Sequence, residues 1–120
     1  MDRSAAAPGI DRLLVTYATP AFRYWLSLDP RSVLAQVEVP LLAVNGDKDV
    51  QVTAKENLAA IESALGAVGH TDYTTVTLSG LNYMFQTSQT GSPREYGTLY
   101  ETIAPSAMTL IGDWIGSRTR

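Results

Sequence analysis

The chain reads as an α/β protein built on one βαβ unit, and three stretches carry that reading. Residues 39–44 form a short apolar run bounded by Pro40 and by Asn45-Gly46, the pattern of a parallel strand buried on both faces. Residues 54–67 place Leu58, Ile61 and Leu65 on one helical face behind Thr53-Ala54-Lys55-Glu56, which has capping-box spacing, and Gly66 and Gly69 end that helix. Residues 73–78, dense in threonine, valine and tyrosine, form a second strand that closes at Ser79-Gly80. Strand, helix and strand together predict a right-handed crossover between two parallel strands.

The flanking segments follow in order. Residues 1–9, with three alanines, a proline and a glycine, read as a loose leader ahead of a single domain over 10–120. Leu13, Leu14 and Tyr17 fall at helical spacing, and Thr19-Pro20 ends a first short helix near Ala18. Phe22, Tyr24, Trp25, Leu26 and Leu28 make the densest apolar cluster, on a second short helix. Asp29-Pro30 opens a third, with Asp29 as N-cap, Pro30 in the first turn and Val33, Leu34 and Val37 facing inward. Beyond the second strand, residues 87–96 are polar and hold Gly91 and Pro93, which predicts an exposed loop. Pro105 then opens a helix whose stripe is Met108, Ile111 and Ile115, with Leu110 and Trp114 beside it, ending near Gly116. Arg118 and Arg120 complement the dipole at its end.

Composition narrows the function classes. The 120 residues are long enough to fold alone, and 45% hydrophobic with 18% charged residues is ordinary globular usage. A net charge of −3 supplies no cationic field for nucleic acid or anionic lipid. With no cysteine and one histidine, neither a thiolate nucleophile nor a metal site is expected, and no cofactor motif is seen. No apolar run approaches the ~20 residues of a spanning helix and no signal peptide is seen, so the default localisation is the cytoplasm.

The strand ends carry the chemistry. Asn45-Gly46-Asp47-Lys48-Asp49 puts an aspartate after the first strand, and Gly80-Leu81-Asn82-Tyr83 puts a tyrosine after the second. Along with Thr19-Pro20-Ala21-Phe22-Arg23-Tyr24, Lys55-Glu56-Asn57-Leu58, Phe85-Gln86, Thr90-Gly91-Ser92-Pro93, Glu95-Tyr96-Gly97 and Asp113-Trp114-Ile115, these turns resemble the carboxyl-terminal part of bacterial α/β-hydrolases of the serine esterase and peptidase type. The resemblance covers nearly everything after the leader. It implies a partial α/β-hydrolase fold in which Asp49 takes the triad-acid position and Tyr83 takes the position of the triad histidine. The half that would carry a Gly-x-Ser-x-Gly nucleophile elbow is not in the chain.

That substitution removes the base. Serine needs a group of near-neutral pKa to accept its proton, whereas a phenol titrates near pH 10. Asp49 is therefore expected to accept a hydrogen bond from the Tyr83 hydroxyl, a structural use of a vestigial corner. His70 lies at the amino end of the second strand, on the far side of the sheet from Asp49, and reads as an exposed loop residue. Asp47 and Lys48 read as solvated turn charges. Phe22, Trp25 and Asn82 are the candidate binding residues, the first two in the region where hydrolases of this kind shape an acyl pocket.

Three functions stay open. The first is a pseudoenzyme, a non-catalytic module that binds a small molecule or a protein near Asp49 and Tyr83. The second is part of a serine hydrolase whose nucleophile half comes from another chain, and the third is a new enzyme using Tyr83 as acid and Asp49 as base. Two parallel strands make a poor sheet alone, and the open edge of strand 39–44 predicts a homodimer, or a higher homo-oligomer, with these strands paired antiparallel.

Overall fold

The computed structural model describes residues 8–119. Its elements are α1 (Pro8–Tyr17), α2 (Pro20–Ser27), α3 (Pro30–Leu34), β1 (Leu41–Gly46), α4 (Ala54–Ala67), β2 (Tyr73–Leu78), a 3-10 turn over Pro93–Thr98, and α5 (Pro105–Arg118). Of the leader expected over 1–9, residues 1–7 lie outside the described residues, as does Arg120, while Pro8 and Gly9 already belong to α1. The described residues fall into two compact units that divide between Pro30 and Arg31.

In the first unit Thr19 separates two helices. Its hydroxyl accepts from Phe22 N at 3.3 Å as the N-cap of α2, and donates to Thr16 O at 2.9 Å. Tyr17 and Phe22 bring their rings to 4.6 Å, and Phe22 meets Trp25 at 5.5 Å, so the aromatic cluster packs within itself. No residue of α2 is buried.

The second unit is a βαβα arrangement. β1 and β2 are parallel, with Leu41 opposite Tyr73 and Gly46 opposite Leu78. β1 starts two residues later than expected because Pro40 has no N–H to donate, and Leu41 N makes the first bond of the ladder, to Asp72 O. Asn45 and Gly46, expected in the turn, pair with Thr77 and Leu78 and so complete the strand.

Helices cover both faces. On one, Asn57 and Glu62 of α4 bond Asn45 and Thr75. On the other, Trp114 Nε1 of α5 donates to Thr74 Oγ1 at 3.3 Å, while Arg118 stacks over the Trp114 ring and pairs with Asp72 at 3.0 Å. Thr53 caps α4 without a side-chain bond to its backbone; the Glu56 carboxyl bonds the Thr53 side chain instead, which lowers its pKa. Leu58 and Leu65 are buried under α4, and Leu81, Ala104 and Ala107 form a second cluster with Leu78 and Phe85 packed against it.

Gly46 marks the tightest junction. A Cβ there would stand 2.0 Å from the Leu81 carbonyl oxygen, so the loop after β2 lies directly against the end of β1. Gly46→Ala is expected to cost about 2–3 kcal/mol in urea unfolding. Gly66→Ala, inside α4 with no atom within 4 Å of the added methyl, is expected to gain roughly 0.5–1 kcal/mol.

Candidate functional site

The carboxyl ends of β1 and β2 hold the candidate acid, and local hydrogen bonding decides what it can do. Asp49 is 8% exposed. Its Oδ1 accepts from Gln51 N and Val52 N, both at 2.9 Å, and its Oδ2 accepts from Asn45 Nδ2 at 3.2 Å. Asn45, itself buried, donates from the same amide to Val52 O and accepts from Asn57 Nδ2 at 2.6 Å. The carboxylate thus closes the turn from β1 into α4, as aspartates do when they hold amides two and three residues on.

The expected bond between Asp49 and the Tyr83 hydroxyl is not made. Among the described hydrogen bonds Asp49 meets only the three donors above. Asn82 is the cause: its Oδ1 accepts from Met84 N and Gln86 N, its backbone N–H donates to Gln86 O, and Phe85 N closes back on Asn82 O. This turn wraps around a fully buried Asn82 and leaves Tyr83 46% exposed. Phe85 takes φ 57 within it, a left-handed conformation that costs a non-glycine residue about 1–2 kcal/mol, offset by ring packing and by the bond from Ala104 N to Phe85 O.

Asp47 is exposed, as expected, whereas Lys48 is half-buried, and both also tie the two strand ends together. Asp47 accepts from Gly80 N at 2.7 Å and Ser79 Oγ at 3.1 Å. Lys48 Nζ donates at 2.8 Å to both Ser88 O and Gln89 O, and its backbone N–H donates to Leu81 O. Parts of the expected exposed loop over 87–96 are consequently buried. Ser88 is 5% exposed, and Gly91 lies so close to Lys48 that a Cβ would stand 1.9 Å from its carbonyl oxygen.

Glu95 completes this lock by accepting from Ser88 Oγ and Thr90 N. Hydrogen bonding, first to Ser88 and then to Thr90, lowers its pKa against the opposing effect of desolvation. Gln86 Nε2 reaches Glu101 O at 2.8 Å, and Thr87 N donates to the Glu101 carboxylate. Sequence reasoning places Asn45, Gln86 and Glu95 in motifs but gives neither them nor Ser88 a role at the site; a strand-end asparagine, unfavourable in β structure, is the available signal for the first.

The remaining candidates stand elsewhere. Phe22 and Trp25 belong to the first unit, where Trp25 is 65% exposed, whereas Asp49, Asn82 and Tyr83 belong to the second. A shallow cleft of about 460 Å³ is lined by Asp47, Asp49, Thr53, Lys55, Glu56 and neighbouring atoms, and neither Asn82 nor Tyr83 lines it. His70 does sit at the amino ends of the strands, as expected, but it is half-buried, with Nε2 donating to Val39 O at 3.0 Å in the tautomer that bond requires. Among the described residues no three acidic or histidine side chains group to hold a metal.

Removing the turn closure should cost stability. Asp49→Ala is expected to lose about 2–4 kcal/mol in urea unfolding, since it strands several donors at once, while Tyr83→Phe stays within about 0.5 kcal/mol. Because folding depresses the Glu95 pKa, its stabilisation is present above the ordinary value of 4.5 and is lost as pH falls through the folded value. A carboxyl NMR titration should place the Glu95 midpoint below 4.5 and return it toward 4.5 in Ser88→Ala. No protein-family model, no curated protein and no solved structure matches this chain.

Proposed function

We propose that this chain is a non-catalytic α/β-hydrolase-like module that works by association. The observation that supports this reading is the set of partners Asp49 has: three donors of its own turn hold the carboxylate, and among the described hydrogen bonds none of them is a base. Tyr83 supplies no base either, since a phenol is protonated at neutral pH. What a triad would use for catalysis, this turn uses for folding. The working surface is instead the outer edge of β1 and the apolar groove beside it. That groove, of about 500 Å³, is lined by Val37, Val39, Leu42, Val44, Ile111 and Ile115 among others, with no charged residue.

A second reading has one observation in its favour. The same open edge fits a parallel strand from a chain carrying a serine nucleophile, which would make this module part of a two-chain hydrolase. The first reading predicts that a fluorophosphonate probe leaves the protein unlabelled and that ester substrates are not turned over. Turnover that arises on mixing with an amino-terminal hydrolase half, and disappears with Asp49→Ala, would replace it with the second.

A further inference from the structure

The partner at that edge can be specified, and this step rests on the association reading above. Leu41 N donates to Asp72 O and Asp47 N to Leu78 O, so the odd-numbered residues of β1 direct their backbone groups at β2. The even-numbered residues face outward. Pro40 has no N–H, and the Gly46 carbonyl already accepts from Asp49 N at 3.3 Å. Among the described residues, Leu42 and Val44 are left as the two of this strand with both N–H and C=O open at the outer edge.

We infer that the occupant of this edge is a second copy of the same chain, with β1 paired antiparallel to β1 about a two-fold axis at Ala43. Pairing Leu42 with Val44 of the second copy, and Val44 with its Leu42, puts all four residues in hydrogen-bonded pairs. Other two-fold registers set Leu42 against itself, with Val44 opposite Pro40, or Val44 against itself, with Leu42 opposite Gly46, and each wastes a group. In the favoured register Ala43 meets its own copy at a non-hydrogen-bonded pair, where Cα atoms approach to about 4.5 Å and a small side chain fits.

The α5 helix agrees with this geometry. A two-fold axis normal to the sheet keeps both α5 helices on one face, so the stripe of Met108, Ile111 and Ile115, exposed by 55%, 39% and 51%, faces its copy across the joined strands. A stable pair needs about 1,200 Å² buried in total, and the surface that would supply it is this stripe together with 66%-exposed Val39 and the half-buried groove residues. No charged residue lines the groove, so the two-fold brings no like charges together there. A lone peptide strand would satisfy this edge and add a new one beside it, whereas a second copy leaves no β1 edge open and adds no strand of another kind.

Sedimentation velocity on the full chain at micromolar concentration should show a species of twice the 13.0 kDa chain mass. Ile115→Glu, an exposed change that leaves the fold intact, should raise the dimer dissociation constant at least tenfold. The natural chain has no cysteine, so Ala43→Cys should form an interchain disulfide under mild oxidation, and Leu41→Cys should not. A well-folded monomer overturns the inference, as does a dimer that ignores Ile115→Glu and fails to cross-link at residue 43. A folded monomer that also stays unlabelled by fluorophosphonate overturns the homodimer alone and leaves the non-catalytic reading standing.

Discussion

Parallel strands need both faces covered, and an open edge is a template for pairing; β1 has one edge paired among the described residues and the other beside an apolar groove. That asymmetry governs the second unit. Its paired edge fixes the register with β2, and through Leu41 and Asp47 it also fixes which residues turn outward. α4 covers one face and α5 the other, but the α5 stripe shares a groove with β1 rather than burying its isoleucines. Two open backbone pairs below an apolar groove are a template for another strand.

The carboxyl ends of the strands show the opposite condition, with polar groups paired in abundance. Asn45 and Asp49 close one turn, Asn82 and Gln86 close the other, and Asp47, Lys48, Ser88 and Glu95 join them. Each buried polar atom left without a partner would cost roughly 1–3 kcal/mol, so these pairings constrain the loops tightly. Gly46 and Gly91 permit the backbone approach that makes them possible. These groups are held by turn donors rather than by a catalytic partner, and their hydrogen bonds serve placement. The corner formed by the two turns is in this way a structural joint.

Much of the fold was legible because it follows period and punctuation. Helix 54–67 and strand 73–78 match α4 and β2 in their bounds, and Thr19-Pro20 and Pro105 mark helix boundaries as expected. β1 starts later than its apolar run suggests, because hydrophobicity extends to Val39 whereas hydrogen bonding begins after Pro40. The site was less legible. Lys48 reaches carbonyls 40 and 41 residues away, and Asp47 reaches an amide 33 residues away, distances at which no local pattern operates. The contact expected between Asp49 and Tyr83 failed for a related reason: a side chain's partner depends on how the intervening turn folds, and Asn82 sets that turn.

Amide hydrogen exchange at Leu42 and Val44 tests the central claim most directly, because these two N–H groups face away from β2 and are protected only if something pairs with the edge. The account predicts slow exchange at both amides at high protein concentration, with protection falling on dilution while the odd-numbered amides of β1 stay protected. Fast exchange at Leu42 and Val44 at every concentration, alongside a protected β1–β2 ladder, would contradict it.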